Sequence, residues 1–201
     1  MRNSDIIFCK NFPCVDVSSK SFFVPGIESS PEKIRMAMIS ESAPTQRKDS
    51  YYAGEDALFA QTTLLAFQDA GVKAGSIQEL VDQGIYFTTA VKCAKTNYGI
   101  QTATIQECSH LLEKELHQFP NLKVYMLMGD SAIKAINTIA RRSGEKGVIP
   151  AGPTYKIRSQ EYFWHGRRVF PSYLQAGPSF FIEKSKRKMI AEDISAAMKL
   201  L

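Results

Sequence analysis

The sequence lacks long apolar runs, and this absence excludes one class of protein. No uninterrupted apolar stretch approaches the ~18 residues that a membrane helix needs. The N-terminus places the acidic Asp5 before a short apolar patch from Ile6 to Phe8, a pattern that is atypical of a secretory signal. The sequence therefore predicts a cytoplasmic protein with no membrane partner.

Internal repeats and low-complexity segments are also missing, which excludes solenoids and disordered linkers. The 201 residues are 44% apolar and 22% charged, a composition typical of a folded globular domain. The chain is long enough for a three-layer core and too short for two full domains. We therefore expect one domain over residues 1–201, acting as a monomer.

Acidic residues are scarce in the last third of the chain. Residues 131–201 hold 13 Lys and Arg against 5 Asp and Glu, a net charge of +8, whereas residues 1–130 hold 12 against 15, or −3. An uneven basic excess favours an anionic partner, nucleic acid first. A solvated basic surface without a partner is the alternative that charge alone leaves open.

Cysteines number only four, and a cytoplasmic protein is expected to keep them reduced. Cys9 and Cys14 form an N-terminal pair, and Cys93 and Cys108 form a second pair far downstream. Four thiolates suit a tetrahedral zinc ion or a 4Fe-4S cluster. Cys108 also fits the apolar face of a predicted helix, where a cysteine can be simply a small buried side chain.

Hydrophobic periodicity predicts alternating strands and helices. Apolar or β-branched runs predict strands at 34–40, 85–93 and 124–128, and a last pair at 155–158 and 167–170. Helical spacing predicts helices at 56–70, at 77–81, after Thr104 with Glu107 as a capping box, after Gly129, and from Pro178 to the end. The fold class is α/β: a three-layer α/β/α arrangement with a mainly parallel central sheet of about four strands.

Ligands of such sheets bind beyond the carboxyl ends of the strands, which directs attention to three segments. Glu41 and Asp49 follow the first strand, and carboxylates there can activate a water molecule, although loop acids are often only solvated. Tyr52 offers a flat face for a planar base. Pro171, Ser172, Tyr173 and Leu174 form a rigid tip after Arg167 and Arg168, suited to phosphate contact and to a wedge. The basic cluster of Lys184, Lys186, Arg187 and Lys188 ranks second as a phosphate contact.

The order of these segments resembles the uracil-DNA glycosylase superfamily, in particular its iron-sulfur branch of the family 4 and family 5 type, with divergent catalytic motifs. The segments are Cys9 with Cys14, Val24-Pro25-Gly26, Ile39-Ser40-Glu41-Ser42-Ala43-Pro44, Tyr52-Ala53-Gly54, Val91-Lys92-Cys93, Cys108, Met128-Gly129 and Phe170-Pro171-Ser172-Tyr173-Leu174. The resemblance covers nearly the whole chain. Its most specific element is the spacing of Val-Lys-Cys to Cys108, joined to the N-terminal cysteine pair.

The resemblance implies a monofunctional DNA repair hydrolase that flips a damaged base, uracil or another deaminated one, and cleaves its N-glycosidic bond. Glu41, with Asp49 as the competing assignment, would orient the water, and Tyr52, Thr89 and Phe170 would contact the base. DNA would lie on Arg167, Arg168 and the tip from Pro171 to Leu174. Cys9, Cys14, Cys93 and Cys108 would hold a structural 4Fe-4S cluster, with zinc as the less favoured metal.

Two positions depart from the family pattern. The family has a His before Pro-Ser, where this chain has Phe170, and an Asn two residues before the Val of Val-Lys-Cys, where it has Thr89. Tyr52 replaces the family's Phe, a mild change. The departures favour one alternative, a catalytically impaired DNA-binding member of the superfamily. An unrelated α/β protein with a structural zinc site is a second alternative that stays open.

Overall fold

A mainly parallel sheet forms the centre of the computed structural model, which describes residues 7–26 and 29–201. Residues 1–6, which include Asp5 and the start of the apolar patch that is atypical of a secretory signal, lie outside the described residues. The strands in chain order are β1 (Val17–Ser18), β2 (Met36–Ser42), β3 (Ile85–Val91), β4 (Ala94–Lys95), β5 (Val124–Met128), β6 (Tyr162–Trp164) and β7 (Arg167–Ser172). Within the described residues the central sheet has five strands in the order β3-β2-β5-β7-β6, and a separate ribbon pairs β1 with β4. Only β6 runs antiparallel to its neighbour in the central sheet.

Helices cover both faces of this sheet. In chain order they are α1 (Leu58–Asp69), α2 (Ile77–Asp82), α3 (Thr102–Leu116), α4 (Asp130–Arg142), α5 (Thr154–Ile157), α6 (Ser179–Ile182) and α7 (Lys184–Met198), with short 3-10 helices at Ser19–Ser21, Pro31–Lys33 and Arg47–Asp49.

Alternating side chains of β3 show how the layers are arranged, because successive residues of a strand point to opposite faces. The Tyr86 hydroxyl donates a hydrogen bond to Glu115 of α3. The next residue, Phe87, packs its ring against Phe67 of α1, with the ring centroids 5.9 Å apart. Helices α3 and α4 contact each other on the first face, and α1 and α7 contact each other on the second. The predicted three-layer α/β/α fold is confirmed.

Two of the predicted elements are wrong in detail. Residues 155–158, predicted as a strand, belong largely to α5, and the strand that pairs antiparallel with β7 is β6. A four-residue alternation is too short to distinguish one helical turn from a strand. The predicted C-terminal helix is two helices, because the backbone of Glu183 (φ −101°, ψ 75°) interrupts it between α6 and α7.

The predicted capping box at the start of α3 is also wrong. The helix begins at Thr102, and the Thr104 hydroxyl donates to Asp16, far away in sequence. The same carboxylate accepts a hydrogen bond from the backbone N–H of Gln101 at 2.6 Å. Asp16 therefore supplies the negative charge that a helix N-terminus favours, and it ties the leading segment to α3.

A buried ion pair joins the end of β3 to α3. Lys92 and Glu115 contact each other, and neither side chain is exposed to solvent. The Lys92 ammonium also donates to the Thr88 hydroxyl at 2.8 Å and to the Thr89 carbonyl at 2.6 Å. Glu115 accepts further hydrogen bonds from Tyr86 and Thr88. The pair is thus fully hydrogen-bonded, which is the condition under which buried charges are tolerated.

None of the helices in the part of the chain that the structure describes is long and apolar enough to cross a membrane.

The buried pair generates a prediction about stability. Because removing one partner leaves the other charge buried and unpaired, we expect Lys92→Met or Glu115→Leu alone to lower the free energy of unfolding by about 3–5 kcal/mol. The double variant should lose less than the sum of the two single variants, since no charge is then stranded. Urea unfolding measures both quantities.

Lys134→Met is the matched control, because Lys134 pairs with Asp130 on the surface of α4 and exposed pairs contribute about 0–1 kcal/mol. Additive losses in the double variant would contradict the role given to the pair.

Candidate functional site

A cavity of about 620 Å³ opens at the carboxyl ends of the central strands. We call it the Glu41 cavity: Glu41 lines it from the end of β2, and Asp49 lines it from the 3-10 turn that follows. Its volume falls in the range of small-molecule sites, and its place in the sheet is where such sites form in α/β folds. The structure thus brings the two predicted carboxylates to one cavity.

Glu41 is held by a lysine that the sequence interpretation did not select. The Nζ of Lys95 lies 2.8 Å from the Glu41 carboxylate and also donates to the Tyr98 carbonyl at 3.1 Å. Both charged side chains stay partly open to solvent, 34% for Lys95 and 23% for Glu41. The Tyr98 ring, 99% exposed, stands at the same rim. The available signal was the position of Lys95, two residues after Val-Lys-Cys.

A second cavity, of about 410 Å³, adjoins the first and shares Glu41, Tyr98 and Leu174 with it. Tyr173 and Lys186 line it, and the Lys186 ammonium lies 5.4 Å from the centre of the Tyr173 ring. Tyr173 and Leu174, two of the predicted DNA contacts, therefore line this second cavity. The two adjoining cavities together form a groove. The basic start of α7, which ranked second as a phosphate contact, borders this groove through Lys186.

The four cysteines line one further cavity, of about 250 Å³, between the leading segment and α3. Cys93 and Cys108 are buried, and Cys9 and Cys14 are partly exposed. Burial raises the pKa of the Cys93 thiol to about 12, and the other three thiols add to the rise. Burial likewise raises the pKa of Cys108 to about 11. The structure brings the predicted ligand set together.

Residues 30–193 match the model of the uracil DNA glycosylase superfamily. The chain belongs to this superfamily. Its members are generally DNA N-glycosylases, so the membership implies DNA binding and a glycosylase-like function. The alternative of an unrelated α/β protein is wrong.

Among solved structures, the chain is similar to the crystal structure of wild-type UNG from Nitratifractor salsuginis. The two share 10% sequence identity over 85% of this chain and 74% of that one, with a TM-score of 0.38. No curated protein matches the chain.

The family's His position falls outside the Glu41 cavity. Phe170 lies two residues before the end of β7 and lines a different cavity, where the Arg168 guanidinium lies 4.4 Å from the centre of its ring. Pro171 and Ser172 are buried in the strand, and the Ser172 hydroxyl donates to Asp193 of α7. Only Tyr173 and Leu174 of the predicted tip therefore line the groove.

The other predicted DNA contacts, Arg167 and Arg168, lie at the beginning of β7. Ser172, the last residue of the strand, is the fourth residue after Arg168, which is about 13 Å away at the usual rise of a strand. Arg167 donates to the Leu122 carbonyl at 3.0 Å, and Arg168 donates to the Val169 carbonyl at 2.7 Å. The two arginines thus lie at the amino-terminal end of the parallel strands, opposite the end where Glu41 lies.

Tyr52 and Thr89, the predicted base contacts, are held by strand β3. The Tyr52 hydroxyl accepts from the backbone N–H of Phe87 at 2.9 Å and donates to its carbonyl at 3.1 Å. The ring lines a separate cavity of about 290 Å³, together with Tyr51. The Thr89 hydroxyl donates to the Val91 carbonyl at 2.9 Å. The structure does not bring the Tyr52 ring to the Glu41 cavity.

The resemblance to the iron-sulfur branch implies a metal group held by the four cysteines. Zinc holds four sulfur ligands at about 2.3 Å, so they lie about 4 Å from one another. Within residues 7–26 and 29–201, no group of three or more His, Cys, Asp or Glu side chains is arranged to hold one metal ion. A 4Fe-4S cluster bonds each thiolate to a different iron and needs a wider ligand set. The four thiols line one cavity without closing around a single point.

Proposed function

We propose that the protein is a DNA repair glycosylase that binds a flipped uracil, or another deaminated base, and hydrolyses its N-glycosidic bond. One observation carries the proposal: Glu41 and Asp49 line the same cavity at the carboxyl edge of the sheet, in a chain of this superfamily. A base inside a duplex must leave the stack before its sugar can be attacked, at a cost of a few kcal/mol.

Glu41 is the residue that activates the water. Its carboxylate lies inside the cavity and accepts a hydrogen bond from Lys95, which leaves its remaining acceptor positions for a water molecule beside the sugar C1′. The same negative charge stabilises the positive charge that develops on the sugar as the base departs. Asp49 lines the cavity from the next segment and is the competing assignment for the water-activating role.

The start of α7 supplies the phosphate contacts. Lys184 is exposed, and Lys186 lines the cavity next to Glu41. The partly exposed Leu174 lies at the boundary of both cavities, where an apolar side chain can fill the space that the flipped base leaves in the stack. Lys186 also pairs with Glu183 on the same helix turn, so a DNA phosphate would have to compete with that carboxylate for the ammonium.

The proposal predicts the effect of removing the Glu41 charge. Glu41→Gln should lower base release by about 10²- to 10⁴-fold, the contribution typical of a positioned acid or base. DNA affinity should not fall, because the substitution removes a negative charge. The measurement is single-turnover release from oligonucleotides that carry uracil, hypoxanthine or xanthine.

Glu55→Gln is the control, since Glu55 is exposed and lines the Tyr51 and Tyr52 cavity instead. Full activity in Glu41→Gln would transfer the role to Asp49, which Asp49→Asn then tests. If the wild-type protein releases no base from any of these oligonucleotides, the second candidate function replaces the first: a catalytically impaired DNA-binding protein. The absence of a donor at Phe170 favours that candidate.

A second prediction compares the two basic surfaces. We expect Lys184→Ala with Lys186→Ala to weaken DNA binding and to reduce the slope of log affinity against log salt by about 0.9 for each phosphate that the protein no longer neutralises. Arg167→Ala with Arg168→Ala, which removes the same number of charges from the opposite edge, is the matched comparison. A larger effect of the arginine pair would restore the assignment of Arg167 and Arg168 as the main phosphate-binding residues.

We also propose that Cys9, Cys14, Cys93 and Cys108 hold a structural 4Fe-4S cluster. The convergence of all four thiols on one cavity supports this proposal. A cluster there would join the leading segment to β3 and α3. Hydrolysis transfers no electron, so the cluster's contribution is to folding.

The cluster proposal predicts that Cys93→Ser lowers iron content and thermal stability together. Glu41→Gln serves as the control and should keep its iron, because Glu41 does not line the cysteine cavity. Metal analysis of anaerobically purified protein, with the visible absorbance, measures the first effect, and calorimetry measures the second. Stoichiometric zinc without iron would favour the alternative metal, and unchanged iron and melting would remove the claim.

A further inference from the structure

Lys95 places a primary amine inside the cavity that contains Glu41. Its Nζ lies 2.8 Å from the Glu41 carboxylate, and about a third of the side chain is open to solvent. The backbone beneath it is fixed, because Lys95 pairs with Val17 in the β1–β4 ribbon. Hydrolysis as proposed above uses the carboxylate and a water molecule and gives this amine no chemical step.

The product of base release is the kind of molecule with which an amine reacts. Loss of the base leaves a sugar whose C1′ is a hemiacetal in equilibrium with its open-chain aldehyde. Lysine amines form Schiff bases with carbonyl carbons. Glu41 acts at C1′ in the proposed hydrolysis, and the Lys95 nitrogen lines the same cavity in direct contact with Glu41.

We propose that Lys95 forms a Schiff base with C1′ of the abasic product, so that the protein also cleaves the DNA strand on the 3′ side of that sugar. The inference rests on the proposed function for its substrate. It adds a lyase activity to the monofunctional hydrolysis that the sequence predicts.

The first step balances with the groups present. The Lys95 ammonium transfers a proton to Glu41, and the free amine adds to the C1′ aldehyde to form a carbinolamine. The C1′–O bond then breaks, and the leaving oxygen departs as water with the proton held by Glu41. The products are an iminium between Nζ and C1′, one water molecule and the regenerated carboxylate.

Strand cleavage follows without an added oxidant or reductant. Glu41 removes a proton from C2′, and the electron pair of that C–H bond forms the C2′–C3′ double bond. The C3′–O bond breaks, and the 3′ phosphate leaves with its electron pair. Water then hydrolyses the iminium and releases Lys95.

The test uses an oligonucleotide that already carries an abasic site. Sodium borohydride reduces the iminium to a secondary amine, so a reactive lysine becomes covalently attached to DNA and is detected on a denaturing gel. Lys95→Arg keeps the positive charge but cannot form the Schiff base. Lys134→Arg is the matched control, because Lys134 also pairs with a carboxylate but does not line the Glu41 cavity. The trapped fraction is divided by the bound fraction for each variant.

We expect the wild type and Lys134→Arg to be trapped equally and Lys95→Arg to fall to the level of a reaction without borohydride. Peptide mapping should locate the modification at residue 95. Absence of trapping in the wild type, or trapping that persists in Lys95→Arg, would overturn the inference. Because the abasic site is supplied, a failure here is distinct from a failure of base release, which is measured on uracil-containing DNA.

Discussion

The buried contact between Lys92 and Glu115 is the constraint on which both the cysteine cavity and the Glu41 cavity depend. It fixes the end of β3 against α3, and Cys93 and Cys108 lie in those two segments. The short ribbon that carries Lys95 into the Glu41 cavity begins two residues after Lys92. One fully buried charge pair therefore positions the thiols on one side and an amine of the candidate site on the other.

The sequence was sufficient to predict the layer arrangement and the approach of Glu41 and Asp49 to one cavity. Short apolar or β-branched runs identified β2, β3 and β5, because strands buried on both faces show little polar alternation. Parallel strands bring their carboxyl ends to one edge, so Glu41 and Asp49 were expected together. The approach of the four cysteines to one cavity was predictable, since two distant pairs of thiols suggested a shared metal group.

Other features of the site depend on strand register and on side-chain direction. The spacing of residues in the sequence does not determine either. Phe170 is close in sequence to the groove-lining Tyr173, yet its side chain lies on the strand, against Arg168. Arg167 and Arg168 precede the tip by only a few residues. Because the chain between them is extended, the two arginines lie at the opposite end of the strand from the tip. The Lys95 contact with Glu41 spans 54 residues in sequence and required the tertiary structure.

The hydroxyl of Tyr52 affects whether copies of the protein can associate through the edges of their sheets. Strand β3 is an edge strand, and in a parallel sheet the N–H and carbonyl of one residue point to the same side. Phe87 directs both groups outward, where Tyr52 binds them. At the other edge, β6 is only three residues long. An incoming strand would find the outward backbone groups of Phe87, in the middle of β3, already bonded, and it would find β6 too short to extend. Both features oppose aggregation through the edges of the sheet.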